Sequence, residues 1–81
     1  MNSNTIKFSI NDSGSGNRLQ LSLVYEALKE KGYDPVDQIV GFILTEDPAY
    51  ITSHKNARNI MCSIDRYELL CSMIKDYLKI Q

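Results

Sequence analysis

Eighty-one residues make one domain with room for only a modest core. Nine Lys and Arg against ten Asp and Glu leave a net charge of −1, unlike the basic balance of a nucleic-acid binder. No apolar run approaches the ~20 residues of a membrane span, no basic-plus-apolar segment suggests export, and one His with two Cys cannot complete a four-ligand zinc site.

A reducing cytoplasm with free thiols is the expected setting. With neither disulfides nor metal to help, a chain this short is expected to gain stability by oligomerising.

Residues 1–4 are polar. Thr5-Ile6-Lys7-Phe8-Ser9-Ile10 alternates polar and apolar, the period of a strand, with Ile6, Phe8 and Ile10 on one face. A lone strand is not stable in water, so it must pair in a dimer, lie across helices or stay mobile. Asn11–Asn17 is rich in Asp, Ser and Gly and reads as a loop. Residues 1–16 are thus expected to form an extended N-terminal arm, and residues 17–81 a helical domain.

The first helix is predicted from about Asn17 to Lys31, with Leu21, Val24, Tyr25 and Leu28 as its apolar stripe. Gly32 suits the left-handed position after its end. Asp34 is a good N-cap and Pro35 a good first residue for a second helix, Pro35–Leu44. Asp37 stands three residues after the cap, where its charge meets the positive end of the helix dipole. Val36, Ile39, Val40 and Ile43 form a stripe that Phe42 and Leu44 widen beyond the ~100° of a one-sided helix. Gly41 lies on the polar side with Asp37, Gln38 and Thr45. It is either a tolerated glycine or a place where a partner's backbone approaches closely.

Asp47-Pro48 ends that helix, and a short helical turn is expected over Ala49, Tyr50 and Ile51. A third helix is predicted from about His54 to Ile64, with Ala57, Ile60, Met61 and Ile64 on one side. Asp65 and Glu68 carry the spacing of a capping box for a fourth helix reaching about Ile80. Tyr67, Leu70, Met73, Ile74, Tyr77 and Leu78 are expected to line its buried face, extended by Leu69 and Ile80.

No catalytic constellation emerges. His54 has no Cys or carboxylate at ligand or catalytic spacing, and Cys62 and Cys71 read as small core residues. Lys55, Arg58 and Arg66, with Asn56 and Asn59, suggest a solvated polar face. A helix-turn-helix DNA-binding module built from the last two helices is the alternative reading, weakened by the low charge. A third reading, an enzyme using His54 with Cys62, needs the two side chains in hydrogen-bond reach.

Four segments carry a likeness to a known family: Lys31-Gly32-Tyr33-Asp34-Pro35, Gln38-Ile39-Val40-Gly41, Asp47-Pro48-Ala49-Tyr50-Ile51 and Asn56-Ala57-Arg58-Asn59. Together they resemble the IreB family of small bacterial regulatory phosphoproteins. The chain departs from the family pattern at Thr52-Ser53-His54 and at Met61–Ile64. The resemblance implies a non-enzymatic, cytoplasmic homodimer without cofactor. It further implies phosphorylation by a membrane Ser/Thr kinase that senses the cell wall, with a cognate phosphatase and a downstream protein as further partners.

Thr5, in Thr5-Ile6-Lys7-Phe8, matches the family's N-terminal threonine and is the expected phosphorylation site, ahead of Ser3 and Ser9. Tyr33, Asp37, Gln38, Gly41, Tyr50, Asn56 and Arg58 are the expected partner or dimer surface. The fold expected is mainly α: about four short helices in a compact, homodimeric bundle.

Overall fold

The computed structural model describes residues 9–80, with side chains from Gly16 onward. Four α-helices and two 3-10 turns follow one another, and no strand occurs among the described residues. Helix α1 spans Ser9–Glu30, α2 Pro35–Thr45, α3 Ala57–Ser63 and α4 Arg66–Leu78. The 3-10 turns Pro48–Tyr50 and His54–Asn56 fill the connection between α2 and α3.

The core forms where α1 meets α2 and α3. Val24, Ala27 and Leu28 of α1 meet Ile39 and Phe42 of α2, Ala57 and Met61 of α3, and Ile51, Ile64 and Leu69. Leu28, Ile51, Met61 and Val24 are its largest fully buried side chains.

The caps come out as their residue types dictate. The Asp34 carboxylate accepts from the Asp37 N–H at 3.2 Å, and Asp65 does the same for Glu68. Asp47 accepts from the Ala49 N–H at 2.9 Å and starts the first 3-10 turn. Gly32, at φ +86°, closes α1. The Tyr33 N–H reaches back to the Leu28 carbonyl and the Gly32 N–H to that of Lys29, the paired bonds of a Schellman end. Lys79 ends α4 in the same way without being glycine: Ile80 bonds to Lys75, and Lys79 to Asp76.

Several expectations are corrected. First, α1 begins at Ser9, not near Asn17, so Asn11–Gly16 is helical rather than a loop. The end of the expected strand, Ser9 and Ile10, is helical as well. Thr5–Phe8 lies outside the described residues. Starting a helix is its costly step, and adding residues is cheap. A helix held by Val24, Ala27 and Leu28 therefore propagates through two glycines, although each costs about 1 kcal/mol relative to alanine.

Second, α3 starts at Ala57 rather than His54, because Lys55 and Asn56 are both left-handed, at φ 52° and 63°. Asn tolerates that conformation, whereas a residue such as lysine carries about 1–2 kcal/mol of strain there. The tertiary contact that holds Lys55 is described below.

Third, the apolar face expected to be buried on α4 is solvent-exposed in the single chain. Leu69 is the buried residue of α4, while Tyr67, Leu70, Ile74, Tyr77 and Leu78 stand in solvent. On α2, likewise, Ile39 and Phe42 point inward while Val36, Val40 and Leu44 do not. Cys62 is also exposed and Cys71 half-buried, so neither is the fully buried core thiol the sequence suggests.

Candidate functional site

Three of the four motif segments, 38–41, 47–51 and 56–59, contribute residues to the connection between α2 and α3. Two successive carbonyls in that connection are held from two different helices. Gln38 of α2 donates its Nε2 to the Tyr50 carbonyl at 2.9 Å, and Arg58 of α3 donates its Nε to the Ile51 carbonyl at 2.9 Å. Between them the Ile51 side chain is fully buried. Backbone carbonyls in a loop need partners, and these side chains supply them. The joint is fastened from both sides by charged or amide donors and from below by an apolar anchor.

Gly41 belongs to the same joint. A Cβ built at this position would lie 2.9 Å from Tyr50 Cζ and 2.5 Å from its Cδ1, inside contact distance. The close approach that the glycine permits is made by the Tyr50 ring of the same chain. This explains a glycine in mid-helix despite its propensity cost. The pair gives a sharp test. Gly41→Ala alone gains helix propensity but dislodges the ring, so it should be neutral or destabilising. With Tyr50→Ala already present, the same change should stabilise by about 1 kcal/mol. A double-mutant cycle by urea denaturation measures the difference. Equal effects of Gly41→Ala in both backgrounds would remove the ring-on-glycine account.

The remaining expected surface residues lie outside this joint. Tyr33 follows Gly32 and is half exposed. Asp37 is exposed in the first turn of α2. Asn56 takes the left-handed position before α3, and its Oδ1 accepts from Asn59 Nδ2 at 2.8 Å. Ala57, between Asn56 and Arg58, is fully buried. Thr5 lies outside the described residues.

The basic residues expected on one face are tied to separate acceptors. Arg58 serves Ile51. Arg66 donates Nη1 to the Ile43 carbonyl at 2.8 Å and pairs through Nη2 with Glu46, joining the end of α2 to the start of α4.

Lys55 belongs to a clamp that the sequence does not announce. Glu30, in the last turn of α1, meets His54 Nε2 at 2.8 Å and Lys55 Nζ at 3.1 Å. A carboxylate at a helix C-terminus faces the negative end of the dipole and gains from cationic company. The partners lie 24 and 25 positions away, which no local spacing reveals. The hydrogen bond from His54, then that from Lys55, holds the Glu30 carboxyl below its ordinary value of 4.5. A lowered carboxylate contributes stability above its unfolded pKa and loses it as pH falls through the folded one. The midpoint of unfolding should therefore fall more steeply for wild type than for Glu30→Gln on acidification from about pH 5 to pH 3. The effect should be small and salt-sensitive, because the pair is exposed. Parallel curves for the two proteins would contradict the clamp.

An open cleft of about 320 Å³ lies between α1 and α4, lined by Leu21, Tyr25, Leu69 and Met73 together with Arg18 and Asp76. The breadth of the α4 apolar stripe was its only sequence signal. Among the described residues no cluster of three or more His, Cys, Asp or Glu is arranged to hold a metal ion. No described helix is long and apolar enough to cross a membrane.

The site is thus a structural joint flanked by uncovered apolar helix faces. A protein-family model described as IreB regulatory phosphoprotein matches this chain over residues 3–79.

Proposed function

The chain therefore belongs to the IreB family of regulatory phosphoproteins, and we propose that it acts without catalysis, as a cytoplasmic homodimer phosphorylated on Thr5. The kinase is a membrane Ser/Thr kinase of cell-wall stress signalling, opposed by a cognate phosphatase. A downstream protein reads the result.

The observation that carries the binding role is the uncovered apolar face of α4. Tyr67, Leu70, Ile74 and Tyr77 recur at alternating spacings of three and four, the seam of a helix that meets another helix. They are 73%, 38%, 56% and 86% exposed in the single chain. Leaving such a seam in water is unfavourable at roughly 25 cal/mol per Å², and a second copy supplies a matching one.

Thr5 stands 19 positions before Val24, the first of the buried core residues. A phosphate there adds roughly −1.5 to −2 charges. It should change what a partner recognises rather than unfold the core. Kinase treatment of wild type and Thr5→Ala, with phosphosite mapping and circular dichroism, tests this. Wild type should gain one phosphate at Thr5 with unchanged helicity, and Thr5→Ala should gain none. Phosphate landing only within the helices would defeat the assignment.

A further inference from the structure

We propose that the outer face of α2 is a docking surface for a cationic amphipathic helix of another protein, a surface separate from the α4 seam. The proposal rests on the reading that this chain works by binding.

Val36, Val40 and Leu44 stand four residues apart, on one line of α2, and are 61%, 45% and 77% exposed. The opposite side of α2 enters the core through Ile39 and Phe42. The line is ~12 Å long at 1.5 Å per residue, enough for two or three anchors of a partner helix.

Its electrostatics select the occupant. Asp34 and Asp37 stand at one end of the stripe, Glu46 and Asp47 at the other. From Gly32 through Ser53 there is no Lys, Arg or His, in a chain whose overall charge is only −1. Arg66 pairs with Glu46 and lies against the Ile43 carbonyl, so among the described residues the carboxylates outside a salt bridge are Asp34 and Asp37 at one end and Asp47 at the other. Capping bonds at Asp34 and Asp47 leave their charge in place.

A second copy is a poor occupant. A two-fold contact brings the same patch against itself, so both acidic ends would face acidic ends. Like charges across an interface are unfavourable, whereas a partner with Lys or Arg flanking an apolar stripe is both steered in and held. The small apolar area places the contact in the weak, transient class.

The test uses the full-length protein, labelled with nitrogen-15, and two synthetic amphipathic helical peptides with the same leucine face. One peptide carries lysines beside that face and the other glutamates. The lysine peptide should shift amides of residues 36–44 and bind at least about tenfold tighter than the glutamate peptide, a preference that shrinks with salt. Leu44→Lys and Asp37→Lys should each weaken lysine-peptide binding by about tenfold with helicity unchanged. Leu44 and Asp37 are exposed, so both variants should fold. The proposal is overturned if both peptides bind equally, if neither binds, or if the shifts map to the α1–α4 cleft. It is also overturned if Leu44→Lys converts a dimer to a monomer, which would make α2 the contact between copies. None of these outcomes depends on Thr5, so failure here leaves the phosphorylation reading to its own test.

Discussion

Ile51→Ala should lower the free energy of unfolding by about 2–5 kcal/mol, the range for removing a large aliphatic side chain from a closed core. Ile51 is fully buried, although it sits between two 3-10 turns rather than on a helix. It belongs to the same cluster as Leu28, Val24 and Met61. Its carbonyl is held by Arg58 and its N–H by the Pro48 carbonyl, so the backbone has little freedom to move and fill the cavity. A domain of this size has roughly 4–12 kcal/mol in total at 0.05–0.15 kcal/mol per residue. The substitution therefore removes a large share of it. Urea denaturation followed at 222 nm should show a lower midpoint at similar slope. A change under about 1 kcal/mol would mean that Ile51 is not the anchor of the α2–α3 connection.

The second large effect is on assembly. Ile74→Glu should convert a dimer into a monomer at micromolar concentration while leaving helix content intact. Ile74 lies mid-seam on α4 and is more than half exposed in the single chain, so a charge there costs the monomer little. At the centre of a helix–helix contact the same charge would be buried without a partner, a loss of at least about 2 kcal/mol, or roughly 30-fold in affinity. Sedimentation should give twice the chain mass for wild type and the chain mass for the variant. A wild-type monomer, or a variant dimer, would remove α4 from the proposed contact. The choice of Glu keeps helix propensity high, so loss of mass cannot be ascribed to unwinding.

The sequence by itself determined the punctuation of this fold. Asp34 and Asp65 as caps, Pro35 just inside α2, the stop at Asp47-Pro48 and Gly32 past the end of α1 all read correctly. Each acts within four residues of itself, through bonds that residue type alone decides. The inward side of α3 was legible for the same reason, because Ala57, Met61 and Ile64 recur at helical period.

Tertiary structure decided the rest. Gly41 and Tyr50 are nine positions apart, and only the fold of the α2–α3 connection lays the ring on the glycine. Lys55 is left-handed, and its side chain meets Glu30 of a distant helix, a pairing that only the tertiary fold makes. The start of α1 escaped local reading because a helix fixed by packing at Val24, Ala27 and Leu28 propagates through residues that would not begin one. Apolar periodicity showed that α2 and α4 have wide apolar arcs. Which part of each arc meets this chain's own core is set by the few neighbours an 81-residue chain can supply. Ile39, Phe42 and Leu69 found them, and the outer stripes of both helices are exposed in the single chain.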